Sequence, residues 1–239
     1  MDLTDAVAVV TGASSGLGTH FSRTLIERGA TVYGLARSAE PLEALRDDVG
    51  DAFHPLPCDV RDEAQVEEAF ATVRAESGRL DVLLNNAGLG QFGPVDDLPL
   101  EEWDVQMDTN LRGVFLCTRE AVPMMREQNE QAGFGGHVVN IASIAGLLGN
   151  PNLTAYNASK FGLRGFSEAL MKEVRDDGIK VTCLYPGSIE TNFFDVAGVE
   201  MTDNPLQPED VAATVLHVLE SPANHLISEV VMRPLRPRG

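Results

Sequence analysis

A chain of 239 residues, 44% hydrophobic and 23% charged, is long enough for one large α/β domain and too apolar to be disordered. Its net charge of −18 argues against nucleic acid and anionic membrane as partners, and no apolar run approaches the length of a membrane span. Three isolated cysteines and five scattered histidines offer neither a disulfide framework nor metal-ligand spacing, so buried reduced thiols and no metal are expected.

The opening residues Met1-Asp2-Leu3-Thr4-Asp5 lack the features of a signal peptide, which points to a soluble, cytoplasmic protein. Ala6 to Val10 is a short, wholly apolar, β-branched run, the pattern of a strand buried on both faces. Thr11-Gly-Ala-Ser-Ser-Gly-Leu-Gly18 follows, then an amphipathic stretch from Thr19 to Arg28. Glycines let backbone approach a phosphate, and a helix N-terminus supplies free N–H groups and a positive dipole end. The spacing, Gly12-x-x-x-Gly16-x-Gly18, is not the familiar Gly-x-Gly-x-x-Gly. Gly12-Ala13-Ser14-Ser15-Gly16 also fits the nucleophile elbow of α/β-hydrolases. An elbow on the first strand would have no earlier strand to supply an oxyanion hole, so the nucleotide loop is the better reading.

Ala30 to Arg37 reads as the second strand, and its tip is Ala36-Arg37-Ser38. In a dinucleotide fold this tip meets the adenosine ribose, where a carboxylate suits NAD and an arginine suits a 2′-phosphate. NADP(H) is therefore favoured over NAD(H). A helix from Ala39 to Val49 leads to a third strand, Ala52 to Pro57, and then to Cys58-Asp59-Val60, with Asp62 as the cap of the next helix. Leu80 to Leu84 is the fourth strand, followed by Asn85-Asn86-Ala87-Gly88, small residues suited to close approach of a ligand.

A helical pattern runs from Pro99 to about Glu127, with the poor helix formers Asn110 and Gly113 in its middle. Asn110 is read as marking a local break. His137 to Ile141 is a strand leading to Ser143. From Ala155 to about Asp177 small residues recur at helical steps, placing Tyr156 and Lys160 on one face. A lysine ammonium about 4 Å from a phenol, at an effective dielectric near 20, is worth about 4 kcal/mol before desolvation and draws the phenol pKa down from about 10. Ile179 to Leu184 is the sixth strand, with Tyr185-Pro186-Gly187-Ser188-Ile189-Glu190-Thr191 after it. Residues 192–207 lack periodicity and are read as a substrate lid; Pro208 to Leu219 and Ser228 to Met232 close the chain as helix and strand.

Strand and helix alternate about six times, which predicts an α/β fold: one Rossmann-type domain over residues 1–239, a doubly wound parallel sheet of seven strands in order 3-2-1-4-5-6-7. Loops after strands one, four, five and six then meet at one crevice. Leu89, Phe92, Leu147, Tyr185 and Phe193 are expected to line a partly apolar substrate pocket there.

With Thr-Gly-Ala-Ser-Ser-Gly-Leu-Gly (11–18), Cys-Asp-Val (58–60), Asn-Asn-Ala-Gly (85–88), Asn110, Ser143, Tyr-Asn-Ala-Ser-Lys (156–160) and Pro-Gly-Ser-Ile-Glu-Thr (186–191), the chain resembles the short-chain dehydrogenase/reductase family from end to end. The resemblance implies that Tyr156 is the general acid in carbonyl reduction and the base in alcohol oxidation. Lys160 would lower its pKa and hold the nicotinamide ribose, Ser143 would hydrogen-bond the substrate oxygen, and Asn110 would bind a water in a proton relay. For the cofactor it implies Gly12, Ser14, Ser15, Gly16, Leu17 and Gly18 at the phosphates, and Arg37 and Ser38 at the 2′-phosphate. Asp59 and Val60 would flank the adenine, with Asn86, Ala87 and Gly88 on the adenosine side and Pro186, Gly187, Ile189 and Thr191 around the nicotinamide. Hydride transfer from such a cofactor needs no metal.

The substrate implied is a small alcohol or carbonyl compound. The ending Ser-Glu-Val-Val-Met-Arg-Pro lacks the Val-Asp/Asn-Gly-Gly turn common in 3-oxoacyl-carrier-protein reductases, which weakens that alternative. The ending is similar to members acting on 3-hydroxy acids and serine-like substrates. The resemblance also implies a homodimer or homotetramer built through the helices of Asn110 and Tyr156. A non-catalytic nucleotide-binding scaffold is the rival from another class, and the presence of Asn110, Ser143, Tyr156 and Lys160 together speaks against it.

Overall fold

The structure is a computed structural model that describes residues 1–191 and 203–236. Its strands are β1 (Val7–Thr11), β2 (Thr31–Ala36), β3 (Phe53–Pro57), β4 (Val82–Asn85), β5 (His137–Ile141), β6 (Lys180–Pro186) and β7 (Glu229–Met232). They form one parallel sheet in the order β3-β2-β1-β4-β5-β6-β7, the order expected from the alternating pattern. The helices are α1 (Gly16–Glu27), α2 (Ala39–Val49), α3 (Glu63–Ser77), α4 (Leu100–Met107), α5 (Gly113–Ala132), α6 (Thr154–Val174) and α7 (Pro208–Leu219).

The apolar strands are explained by cover on both faces. Ala8 and Val10 of β1 with Val82 and Leu84 of β4 pack into a core that includes Phe21 and Leu25 of α1 and Val211 and Val215 of α7. Val7, Val9 and Leu83 point the other way, into a core with Val66 and Phe70 of α3 and Leu116 and Met125 of α5. Alternate residues thus serve opposite cores, the period of two that a strand imposes. Strand β3 holds Pro55 and Pro57, which an outer strand tolerates because one side needs no ladder partner. Asp62 caps α3 as expected, accepting from the N–H groups of Ala64 and Gln65 at 3.0 and 3.2 Å.

Three boundaries differ from the sequence reading. Helix α1 starts at Gly16, not Thr19, so two of the three loop glycines lie in its first turn. The long pattern after Pro99 is broken between α4 and α5 by a π-helical turn, Asp108–Arg112, which contains Asn110. A π-turn is strained and is retained mostly where a side chain must be placed. Strand β6 continues through Tyr185 and Pro186, because β7 supplies partners in register: Tyr185 faces Val231 and Pro186 faces Met232.

Cys58, Cys117 and Cys183 are free and buried, and burial raises the pKa of each thiol, that of Cys58 to about 12. Among the described residues no helix is long and apolar enough to cross a membrane.

His137 is fully buried on β5, with Nε2 2.8 Å from the Thr182 hydroxyl, which itself donates to the Ile227 carbonyl. Burial, then Lys180 and the N-terminus, push its pKa down to about 3. The folded protein therefore holds His137 neutral while the unfolded chain takes up a proton near pH 6.5. Its contribution to stability is complete above that value and is lost as pH falls towards 3, by about 1.4 kcal/mol per pH unit at most. Urea denaturation from pH 7 to 4 is expected to show a shallower loss of stability in His137→Gln than in the parent. Parallel profiles would place the acid sensitivity elsewhere.

Candidate active site

The crevice opens where the sheet order reverses, at the carboxyl ends of β1 and β4, and their two loops are stitched together. The Thr11 hydroxyl accepts from the N–H groups of Asn86 and Ala87 at 3.0 and 2.9 Å. The Asn86 amide donates back to the carbonyls of Thr11 and Gly12. Gly12 (φ +66°) and Gly16 (φ +50°) adopt a backbone that other residues rarely take. A Cβ on Gly12 would stand 2.9 Å from the Ala87 backbone.

Gly18 differs from the cradle assigned to it. It is buried outside the cavity, and a Cβ there would come within 2.0 Å of the Gly12 carbonyl oxygen, so it serves close packing of α1 on the loop. Gly18→Ala is expected to lower stability by about 1–3 kcal/mol and to displace the loop, read out as a lower melting temperature and weaker nucleotide binding. A variant equal to the parent in both would show that the loop accommodates a methyl group.

One cavity of about 610 Å³ runs along these loops. Gly12, Ser14, Ser15, Gly16 and Leu17 line it after β1, Arg37 after β2, and Asp59 and Val60 after β3. Asn86, Ala87 and Gly88 line it after β4, Ser143 after β5, and Pro186, Gly187, Ile189 and Thr191 at the end of β6 and beyond. Tyr156 and Lys160 enter from α6. Ser38 does not line it; it is an exposed residue at the N-cap of α2.

Arg61, which sequence reasoning passed over, lines the cavity beside Asp59. Its Nε and Nη2 donate to the two Asp59 carboxylate oxygens, at 2.9 and 2.6 Å. That pairing holds the Asp59 carboxyl below its ordinary range, with Arg37 adding a smaller attraction.

At the other end, Tyr156 is buried and takes a hydrogen bond from the Ser143 hydroxyl. Ser143 in turn caps a 3-10 turn, Ile144–Gly146, accepting from the Ala145 N–H at 3.1 Å. Lys160 Nζ donates to the Ile141 carbonyl at 3.0 Å and lies 5.7 Å from the centre of the Tyr156 ring. Burial raises the Tyr156 pKa to about 12 and lowers that of Lys160 to about 8. The expected pull of Lys160 on the phenol is therefore outweighed. Desolvation dominates, and the hydrogen bond from Ser143 pulls the Tyr156 phenol downward against it.

Asn110 is fully buried and stands behind the cavity wall. Its Nδ2 donates to the Leu89 carbonyl and the Ser159 hydroxyl, at 2.9 and 3.0 Å, and its Oδ1 accepts from the Leu89 N–H at 2.9 Å. The side-chain amide is thus committed to a tie between the loop after β4 and α6. Both amide hydrogens are engaged there, and Oδ1 keeps a second lone pair.

Of the expected pocket residues, Leu89 and Phe92 line the cavity, and the Phe92 ring meets the Tyr156 ring edge-on at 5.5 Å. Leu147 does not line it. Tyr185 is buried in the core with its hydroxyl on Glu229, a consequence of the longer β6. Phe193 and most of the lid segment, 192–202, lie outside the described residues; 203–207 returns to pair with β6's trailing loop through Ile189 and Leu206. Ile144, Asn150 and Leu153 complete the wall and had no signal in the sequence. They are placed by Asn157, whose side chain accepts from the Asn150 N–H and donates to the carbonyls of Ala145 and Leu148.

A family model described as short chain dehydrogenase matches residues 6–200. An uncharacterized oxidoreductase of Staphylococcus aureus (strain USA300) is 34% identical over 235 residues, covering 98% of this chain and 99% of the relative. A 3-ketoacyl-(acyl-carrier-protein) reductase from Brucella melitensis, solved with NADH, superposes with a TM-score of 0.88 at 27% identity, covering 97% of this chain and 98% of its own. The closed form of a serine dehydrogenase complexed with NADP+ superposes at 0.86 with 32% identity, covering 95% and 94%. A match across this much of the chain, joined to the sheet order, makes this protein a member of the short-chain dehydrogenase/reductase family and an oxidoreductase.

Proposed function

We propose that the protein interconverts a small alcohol and its ketone or aldehyde with NADP(H) as hydride carrier. The observation that carries this reading is the hydrogen-bonded Ser143–Tyr156 pair with Lys160 fixed beside it, at one end of a cavity whose other end carries Arg37 and Arg61. The cradle fits a dinucleotide: the positive-φ glycines leave no Cβ in the way, and the first turn of α1 faces the cavity. When bound, the nicotinamide supplies or accepts the hydride.

The chain's own groups handle the proton. Tyr156, held protonated by burial across neutral pH, gives its phenolic proton to the carbonyl oxygen in reduction and takes it back in oxidation. Ser143 turns its one hydroxyl hydrogen from Tyr156 to the same oxygen as negative charge develops there. Lys160, buried next to Gly88, holds ribose hydroxyls and stabilises the phenolate left by proton transfer. Asn110 positions the wall that carries Phe92. Arg37 takes the 2′-phosphate together with Ser15, and Arg61 backs it from behind.

Assay of NADPH oxidation and NADP+ reduction against ketones, aldehydes, sugars, hydroxy acids and 3-oxoacyl thioesters tests the reading. Turnover of at least one carbonyl or alcohol pair is the expected result. Binding of NADPH without turnover of any would favour a nucleotide-binding scaffold. Preference for the 3-oxoacyl thioester would favour a 3-ketoacyl-(acyl-carrier-protein) reductase, like the Brucella melitensis protein to which this chain is similar.

The assembly proposed is a homodimer or homotetramer through α5 and α6. Phe115 and Phe161 stand 47% and 43% exposed on these helices, and Gly165 leaves the backbone of α6 open, with nothing within 4 Å of where a Cβ would stand. Sedimentation is expected to show the parent as an oligomer and Phe115→Glu/Phe161→Glu as a monomer. A monomeric parent would overturn the proposal.

A further inference from the structure

The charges of the cavity are all at its cofactor end or already engaged. Arg37, Asp59 and Arg61 lie at the ends of β2 and β3, and Lys160 is the remaining charged lining residue. Beyond these charges the lining includes the apolar Leu89, Phe92, Ile144, Leu153 and Pro186 and the uncharged polar Thr109, Ser143, Asn150, Ser188 and Thr191. Lys160 is spent on the Ile141 carbonyl and on its proposed work at the phenol. Residues 192–202 contain no Lys, Arg or His, so that segment holds no cation to contribute, whatever its placement. It carries Asp195 and Glu200 instead.

Resting on the reading above, we infer that the substrate is electrically neutral around its reacting carbon: a ketone, aldehyde or alcohol with apolar substituents, not a hydroxy or keto acid. A carboxylate within two or three bonds of the reacting carbon would meet no cationic partner other than Lys160 among the described lining residues, and an unpaired buried charge is strongly disfavoured. Net charge −18 adds long-range repulsion of an anion. The inference separates this chain from the serine dehydrogenase to which its fold is similar, since serine carries a carboxylate. The described part of the tail carries Arg233 and Arg236, both exposed and neither lining the cavity. Arg233, just past β7, has its Cα 3.7 Å from the Cβ position of Gly187. Arg238 is the one cation beyond the described residues.

Ethyl acetoacetate and acetoacetate present the same ketone with and without a charge, and their reduction by NADPH provides the test. The ester is expected to exceed the acid in kcat/KM by about 100-fold or more. Equal rates, or a faster acid, would overturn the inference. Kd values for the two compounds on NADPH-loaded Tyr156→Phe protein give a second readout without turnover. Should neither compound be reduced, the reductase reading loses support while the Kd ratio still decides: tighter ester supports neutrality, tighter acid overturns it. Arg233→Gln/Arg238→Gln is expected to leave the ester-to-acid ratio unchanged. Loss of acid binding in that variant would assign a cation of the tail to the substrate and overturn the inference.

Discussion

Tyr156→Phe is expected to lower kcat by about 1,000-fold or more while NADPH still binds, as read by its fluorescence. The substitution keeps the ring against Phe92 and removes one oxygen, so packing changes little and the proton is lost. Burial raises the phenol pKa to about 12, which makes Tyr156 a proton donor throughout the neutral range. Its conjugate base is costly in this setting, and the two groups placed to offset that cost are Ser143 and Lys160. Phenylalanine can neither give the proton nor accept the Ser143 hydrogen bond. A kcat within about tenfold of the parent would mean that the proton comes from another group, and the mechanism assigned to α6 would be wrong.

Arg37→Asp is expected to shift the ratio of kcat/KM for NADPH over NADH by about 100-fold towards NADH. Both arms of the change act in one direction. The guanidinium that would pair with a 2′-phosphate is removed, and a carboxylate that accepts from a 2′-hydroxyl takes its place. Arg37 is exposed, so solvent and salt screen it, and the effect should shrink at high ionic strength. Arg61 cannot simply replace it, because both its Nε and Nη2 are held by the Asp59 carboxylate. Unchanged kinetics with both nucleotides would remove Arg37 from cofactor choice and move attention to Arg61.

How legible these groups were depended on how local their cause is. The Asp62 cap and the β1–α1 loop could be read from neighbouring residues, because a capping hydrogen bond or a tight turn is decided within a few positions. Tyr156 and Lys160 could be read as sharing a face because helical spacing sets that relation. Their pKa values could not. Sequence spacing measures how near two groups are, while desolvation depends on every segment packed over them, and here desolvation prevailed. Asn110 shows the same division: its poor helix propensity signalled a break, and the π-turn supplies one, but its amide partners Leu89 and Ser159 come from distant segments.

From the sequence follow the strand order, the crevice at the carboxyl ends of β1 and β4, the family, and the gathering of Ser143, Tyr156 and Lys160. Alternation of strand and helix, with right-handed connections, leaves few other topologies for a chain of this pattern. Tertiary structure alone decided that Tyr185 is core and not pocket, because β7 extends the ladder of β6 by two residues. It likewise made Gly18 a packing residue, set Arg61 against Asp59, and brought Asn150 and Leu153 to the wall through the Asn157 side chain. Only the Tyr185 placement turns on segments far apart in the chain, β6 and β7; the contacts of Gly18 with Gly12, Arg61 with Asp59 and Asn150 with Asn157 join residues two to seven positions apart, and what decides them is the three-dimensional course of the loops between them.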